Sequence, residues 1–419
     1  MTIIQKLDPE HSGWLNLPGL QKLFDILEEN GEETRVNGGA VRNSVLGEII
    51  SDVDLSTTII PQNVLKRLAN AKIKSIATGL SHGTVTAVID GKSYEITTLR
   101  RDVETDGRHA VVEFGHSWLE DAQRRDLTMN GLYCDRTGEI FDPLGGYQDL
   151  IDRNVRFIGD ASDRIEEDYL RILRFFRFFA RYGKGRPDSE GLKACARLKQ
   201  GIRTLSVERV WMELKKILSV RDPSRAILWM RTTGVLNMAL PESEKWGIDF
   251  VGDLIGAEQD LNWPVELMAR LQIMLPPNAD RVEELSTRLK LSNSEKLRMT
   301  KWVKAELPNS SADIKTLGKI LYRDGKQAVY DRLRNEIVRQ RHIARDDDRA
   351  LLKADKFVKL LAQASNWHRP EFPVKGHDLI KVGTDEGPKM GDELRYLEQQ
   401  WIDSGFTLTK TQLLSLKNP

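Results

Sequence analysis

Cysteine is scarce in this sequence: Cys134 and Cys195 are its 2 cysteines in 419 residues, far apart and in no Cys-x-x-Cys arrangement. That scarcity excludes a disulfide-stapled scaffold and a thiolate metal centre. No apolar run approaches the roughly 18 residues that a membrane-crossing helix needs. The opening, MTIIQKLDPE, lacks the basic and apolar regions of a secretory leader, so the expected location is cytoplasmic. An excess of one charge is also missing. Lys plus Arg total 63 against 62 for Asp plus Glu, a net charge of +1, which excludes a uniformly basic nucleic-acid coat but leaves room for a local basic surface. What is present is 40% hydrophobic and 30% charged residues, the balance of a globular chain rather than a disordered one. The length allows roughly two to four domains of about 100–200 residues.

The first 150 residues read as mixed α/β. Leu17, Leu20, Leu23, Phe24 and Leu27 have the spacing of a half-buried helix face that stops at Gly31. Strands are predicted at Thr34–Asn37, Asp52–Thr58, Lys72–Thr78, Thr84–Ile89 and Tyr94–Leu99, the last two joined by the turn signal Asp90-Gly91. A further pair is expected at Gly131–Cys134 and Glu139–Phe141. From about residue 160 helical spacing takes over: Ser162–Arg181, Val207–Leu218, Pro223–Met230, Asn293–Ala305, the helices of Ile314–Leu361, and Asp392–Asp403 after the Pro/Gly-rich Phe372–Gly391. The expectation is an α/β head on a long helical body.

The segment richest in chemistry is VNGGAVRNSVLGEIISDVDLSTT, Val36–Thr58. A short strand runs into Gly38-Gly39 and then a helix with Arg42 in its first turn, which turns backbone N–H groups toward a space suited to an anion such as a triphosphate. Asp52 and Asp54 follow on a predicted strand, where residues i and i+2 share a face, so the carboxylates converge. Two carboxylates suit Mg²⁺, a hard ion that completes its shell with nucleotide phosphates. Alone, a Gly-Gly pair is usually a turn and an Asp-x-Asp a solvated strand; it is their order and spacing that favour a site.

GGAVRN followed by SDVDLSTT resembles the nucleotidyltransferase signature of the DNA polymerase beta superfamily. Later motifs resemble those of class II CCA-adding enzymes and bacterial poly(A) polymerases: HGTVTAVIDGKSYEITTLR (His82–Arg100), DGRH (Asp106–His109), RRDLTMNGLYCD (Arg124–Asp135), DPLGG (Asp142–Gly146), EEDYLRILRFFRFFARYG (Glu166–Gly183) and SVERVWMELKKIL (Ser206–Leu218). The likeness covers about the first 220 residues, with a weaker echo at Phe372–Trp401. It implies an α+β fold, a polymerase-beta-like head with a small mixed sheet followed by an all-α neck, body and tail. It also implies a catalytic head at 1–150, a base-recognising neck at 151–220 and a tRNA-binding body and tail at 221–419. Where the family usually has Asp after GGxVR, this chain has Asn43, which carries no charge.

By that resemblance Asp52 and Asp54 are catalytic and bind Mg²⁺, and Gly38, Gly39 and Arg42 hold the nucleotide. Arg125 and Asp126 match the motif that recognises ribose and phosphates. The positions matching Asp168 and Arg171 read the base, with Arg174 and Arg177 assisting. Cytosine and adenine both present an amine donor beside a ring acceptor, so a fixed carboxylate beside a fixed guanidinium complements both. Uracil and guanine reverse that order and leave a buried group unpaired, at about 1–3 kcal/mol each. The same Asp-Arg-Arg-Arg row is also what a solvated helix face with salt bridges looks like. Glu95 is a candidate third carboxylate, or an exposed strand residue. The DGRH segment is expected to be a flexible loop, with His109 a loop residue rather than a general base. His377-Asp378 lacks the further ligands of a metal-dependent phosphohydrolase, His82 reads as a turn residue, and the 9 Trp as helix packing.

Residues 164–216 hold 14 Lys or Arg against 7 Asp or Glu, a basic surface that can follow a phosphate backbone or simply be solvated. The function implied is transfer of CMP and AMP from CTP and ATP to the tRNA 3′ end. A poly(A) polymerase and a non-catalytic RNA-binding protein on the same scaffold are the alternatives.

Overall fold

The computed structural model describes residues 3–106, 109–243 and 248–416, with side chains throughout those ranges except at 101–112. Two compact units, Met1–Pro241 and Glu242–Pro419, make up the chain.

The first unit is built on ten strands and the helices that flank them. In chain order they are β1 (Ile3–Lys6), α1 (Pro18–Leu27), β2 (Thr34–Asn37), α2 (Gly39–Val45), β3 (Asp54–Thr57), α3 (Pro61–Asn70), β4 (Lys74–Gly79), β5 (Thr84–Ile89), β6 (Lys92–Thr98), β7 (Arg100–Asp106), β8 (His109–Phe114), α4 (Trp118–Gln123), β9 (Tyr133–Cys134), β10 (Glu139–Phe141) and α5 (Gly146–Ile151). Eight strands form one mixed sheet in the order β1-β10-β9-β2-β3-β6-β5-β4, and β7 and β8 form a separate two-stranded sheet. The β5–β6 hairpin turns at Asp90 and Gly91, both at positive φ (51° and 73°), the geometry of a two-residue turn matched to strand twist. α1 buries Leu20, Leu23, Phe24 and Leu27 of the stripe expected from sequence, while Leu17 stands just before it, half-buried, as its N-cap.

Two sequence expectations that bear on the site need correcting. The strand predicted from Asp52 begins at Asp54. Its neighbour β2 ends at Asn37, opposite Asp54, because Gly38 turns away at φ +60°, so residues 52–53 have no partner strand on that side. The same-face argument for Asp52 therefore does not rest on strand pleating. The DGRH segment is flanked by β7 and β8, but residues 107–108 and the side chains of Asp106 and His109 lie outside the described residues.

The second correction concerns the neck. The single helix predicted over Ser162–Arg181 is two, α6 (Ala161–Glu167) and α7 (Leu170–Tyr182). Asp168 interrupts them with extended backbone (φ −158°, ψ 105°), and its Oδ1 accepts the Leu170 N–H at 3.1 Å. A short carboxylate that captures a nearby N–H competes with the helix ladder. α7 then buries Ile172, Leu173, Phe175, Phe176 and Phe179, with Phe175 stacked on Phe157 at 5.2 Å. α8 (Ser189–Leu198) and α9 (Val207–Leu218) follow, α9 burying Val210, Trp211, Leu214 and Ile217.

Helices joined by loops make up the second unit, with no strand among its described residues. One core joins helices Ile314–Asp324, Lys326–Ile343 and Asp348–Asn366 through Leu317, Leu321, Leu333, Ile337, Phe357 and Leu361. Another gathers Tyr322, Val374, Leu379, Leu397, Trp401 and Leu413. The Pro/Gly-rich passage contains a short helix, Gly376–Lys381, in which Asp378 accepts the Lys375 N–H at 2.9 Å and pairs with Lys410 at 2.5 Å. The last long helix starts at Pro388 rather than Asp392, since proline is well tolerated in a first turn. No described helix is long and apolar enough to cross a membrane.

Candidate active site

The strand–Gly-Gly–helix segment opens the site. Gly38 stands at φ +60° and ψ −111°, a conformation that side chains rarely adopt, and an added Cβ would meet the Arg125 Nη1 at 3.6 Å. Four residues on, Arg42 is buried, with Nη2 donating to the Tyr182 hydroxyl at 2.9 Å, Nε to Asn43 Oδ1 at 3.2 Å, and Nη1 to Asn130 Oδ1. Its ring contacts are Tyr182 at 4.5 Å and Phe178 at 5.0 Å. Those three hydrogen-bond partners are neutral, and burial lowers the guanidinium's pKa. A buried cation held by neutral groups retains its attraction for an anion.

Asn43 binds on both sides of its amide. Oδ1 accepts from Arg42 and from the Tyr182 hydroxyl at 3.1 Å, while Nδ2 donates to the Ile49 carbonyl at 2.9 Å. That last bond ties down the loop leading to Asp52, and a carboxylate could not make it.

Asp54 is partly buried and Asp52 exposed. Burial, then the charges of Glu95 and Asp52, raise the Asp54 carboxyl from 3.8 to about 6, against a smaller opposing pull from Arg125. Glu95 is the parallel-register partner of Asp54 across β3 and β6. Among the described residues no group of three or more His, Cys, Asp or Glu is placed to hold a metal. Asp52 is near enough for its charge to raise the Asp54 carboxyl, and repulsion between two carboxylates is what a hard divalent cation relieves. The residues fit Mg²⁺.

Arg125 reaches the end of β2. Its Nη1 donates to Asn37 Oδ1 at 3.0 Å and its Nη2 pairs with Asp121 at 3.0 Å. Asp121 is fully buried and also takes Arg124 at 2.6 Å and the Tyr133 hydroxyl at 2.7 Å. Burial pushes its carboxyl up, but Arg125 and Arg124 outweigh that and hold it at about 2. Asp126 accepts Arg174 at 2.6 Å and Asn130 at 2.8 Å; burial opposes its ionisation, and Arg174 overcomes that and keeps its carboxyl far below the usual range. The DPLGG motif has a packing reason: Asp142 accepts N–H bonds from Leu144, Gly146 and Tyr147, and a Cβ on Gly146 would sit 2.1 Å from the Thr128 carbonyl.

In the neck, Asp168 pairs with Arg209 of α9 at 2.6 Å, whereas Arg171 pairs with Glu167 and donates to the carbonyls of Arg164 (2.9 Å) and Arg124 (3.2 Å). The two residues expected to act together are therefore each held by another partner. Arg177 pairs with Glu213 at 2.9 Å.

A cavity of about 600 Å³ gathers these residues. Every residue nominated from sequence lines it, Gly38, Gly39, Arg42, Asp52, Asp54, Arg125, Asp126, Asp168, Arg171, Arg174 and Arg177, except Glu95, which is exposed on β6. Eight arginines against four aspartates line it, a cationic excess suited to a polyphosphate. Sequence reasoning missed Arg209 and Glu167 as partners, Asn130 as the bridge between Arg42 and Asp126, and Asp121 as the anchor of Arg124 and Arg125. All four lie inside motifs quoted above or beside them, but their pairing is set by the fold.

Residues 34–156 match the family described as the poly(A) polymerase head domain, and residues 186–246 the one described as the probable RNA and SrmB-binding site of polymerase A. A Mus musculus protein named CCA tRNA nucleotidyltransferase 1, mitochondrial, is 36% identical over 410 residues, 95% of this chain and 89% of that one. A CCA-adding enzyme of Geobacillus stearothermophilus is 38% identical over 230 residues, 54% of this chain and 55% of that one. Among solved structures, the Bacillus stearothermophilus CCA-adding enzyme in complex with CTP superposes with a TM-score of 0.69 at 25% identity, covering 96% of this chain and 97% of that one.

Proposed function

Since this chain belongs to the family of class II CCA-adding enzymes and bacterial poly(A) polymerases, we infer that it is a CCA-adding tRNA nucleotidyltransferase. It transfers CMP and AMP from CTP and ATP to the 3′ end of tRNA without a nucleic-acid template. The observation that carries the assignment of roles is that one cationic cavity is lined by the strand–Gly-Gly–helix segment, the aspartate pair and the neck arginines together.

The tRNA 3′-hydroxyl attacks the α-phosphate, forming one P–O bond as the bond to pyrophosphate breaks. Asp52 and Asp54 would hold Mg²⁺, which supplies charge neutralisation to the phosphates. Arg42 and the Gly38-Gly39 backbone bind the triphosphate. Arg125 and Asp126, with Arg174 and Arg177, orient the sugar and phosphates. Asp168 accepts the exocyclic amine of cytosine or adenine while Arg171 donates to the adjacent ring nitrogen. Glu95, opposite Asp54 on the neighbouring strand, is the third carboxylate, adding negative charge beside the pair that favours a bound divalent cation and helps orient it or the 3′-hydroxyl. Positioning and charge stabilisation account for the rate. Residues 1–150 carry the catalysis, 151–220 the base recognition and 221–419 the tRNA binding, and the acceptor arm presents its 3′ end to the head. The compartment proposed is the cytoplasm; two free, buried cysteines fit it as they fit any reducing compartment.

A poly(A) polymerase is the second reading, favoured by the descriptions of both family matches. Asp54→Ala tests the catalytic role against a non-catalytic RNA-binding protein. Incorporation should disappear while tRNA binding persists; unchanged incorporation would remove Asp54 from the mechanism.

A further inference from the structure

Asp168 does not stand alone in the cavity. Its Oδ1 accepts the N–H of Leu170 at 3.1 Å, and its Oδ2 accepts Arg209 Nη2 at 2.6 Å. Both side chains are largely buried, 17% and 14% exposed, and both line the cavity. The first bond is local, from the turn that starts α7. The second reaches across 41 residues to the first turns of α9.

We propose that Arg209 is a specificity-determining positioning residue: it fixes the plane of the Asp168 carboxylate so that this group presents acceptors to a nucleotide base in one direction only. The proposal rests on the reading of Asp168 as the base-reading carboxylate. A carboxylate held at one oxygen swings about its Cα–Cβ and Cβ–Cγ bonds. Held at both, it keeps one orientation, and each oxygen still has a lone-pair site free for an incoming amine. Arg209 suits this task because its guanidinium is planar and directional, where an ammonium is a point charge. Arg171 is fixed in the same manner by Glu167 and two carbonyls, so donor and acceptor face the base from independent supports. Selection by hydrogen bonding is strong only where a mismatched group is left unpaired, and that requires a site that cannot reorient to meet it. A freely turning Asp168 would relax toward water or toward another cavity arginine and reject uracil less well.

The experiment measures kcat and KM for CTP, ATP and UTP on a tRNA transcript lacking its CCA end, for the wild type and for Arg209→Met, Arg209→Lys, Asp168→Asn and Asp168→Asn/Arg209→Met. Circular dichroism and thermal unfolding are recorded for each. Arg209→Met is expected to raise the KM for CTP and ATP about tenfold and to reduce the preference for CTP over UTP by a similar factor. Arg209→Lys should recover the KM more than the preference, and the double variant should be no more permissive than Asp168→Asn. A lower melting temperature with the CTP-to-UTP preference intact would overturn the proposal, as would fully additive effects in the double variant. If Arg209→Met does not fold, Arg209→Lys with wild-type preference overturns it. Altered base choice in Asp168→Asn alone, with both Arg209 variants like wild type, would remove Arg209 and keep Asp168. Unaltered choice in Asp168→Asn would remove the reading of Asp168 and this proposal together.

Discussion

Asp54 stands directly opposite Glu95 in the parallel register of β3 and β6, one carboxylate partly buried and the other exposed. Burial, Glu95 and Asp52 together lift the Asp54 carboxyl from 3.8 to about 6. The folded state therefore binds this proton more tightly than the unfolded chain does. The cost to stability is absent below about pH 4, builds as pH rises, and is fully present above about pH 6.

Asp54→Asn removes that cost. In metal-free buffer at pH 7.5 the variant should be more stable than the wild type by about 1–3 kcal/mol, with the gain vanishing near pH 4. Urea unfolding at both pH values measures it. A variant less stable than the wild type at pH 7.5 contradicts the electrostatic reading of this pair. The same substitution should abolish incorporation, so that stability and activity move in opposite directions.

Asp121 has the opposite sign. Its carboxyl is held at about 2 by Arg125 and Arg124 against the effect of burial. Its contribution is present above the ordinary aspartate value and is lost as pH falls toward 2. Asp121→Asn leaves two arginines without their buried partner and should cost about 3–5 kcal/mol at pH 7, measured by chemical denaturation. A loss below about 1 kcal/mol would show that water or another acceptor replaces the carboxylate.

Asn43 is expected to matter through its donor. Asn43→Ala removes at once the partner of the Ile49 carbonyl, of the Arg42 Nε and of the proton that the Tyr182 hydroxyl donates. It should cost about 1–3 kcal/mol and raise the KM for both nucleotides through Arg42. Steady-state kinetics beside thermal unfolding would reveal it. Wild-type KM values would show that Arg42 keeps its place without this support.

Much of this was legible in the sequence because it is local. The Gly38-Gly39 turn, the Asp90-Gly91 hairpin and the stripe of α1 are each fixed by residues a few positions apart, and the structure has all three. The break at Asp168 was not legible, since the apolar spacing runs on through α6 and α7 while a single side-chain bond to Leu170 interrupts the backbone. Asp52 looked like a strand residue because it heads the β-prone run that continues to Thr58; what excludes it is the departure of β2 at Gly38. The pairing of Asp168 with Arg209, and of Arg171 with Glu167, was beyond reach for another reason. Spacing identifies which residues share a region, but which arginine reaches which carboxylate depends on how α7 and α9 pack.

The most direct test is incorporation of each labelled nucleotide, with Mg²⁺, into tRNA transcripts lacking one, two or all three nucleotides of the CCA end, followed by sequencing of the 3′ ends. The account predicts two C and then one A on the shortest transcript, completion of the others, and arrest. Long A tails, or tRNA binding with no incorporation of any nucleotide, would contradict it.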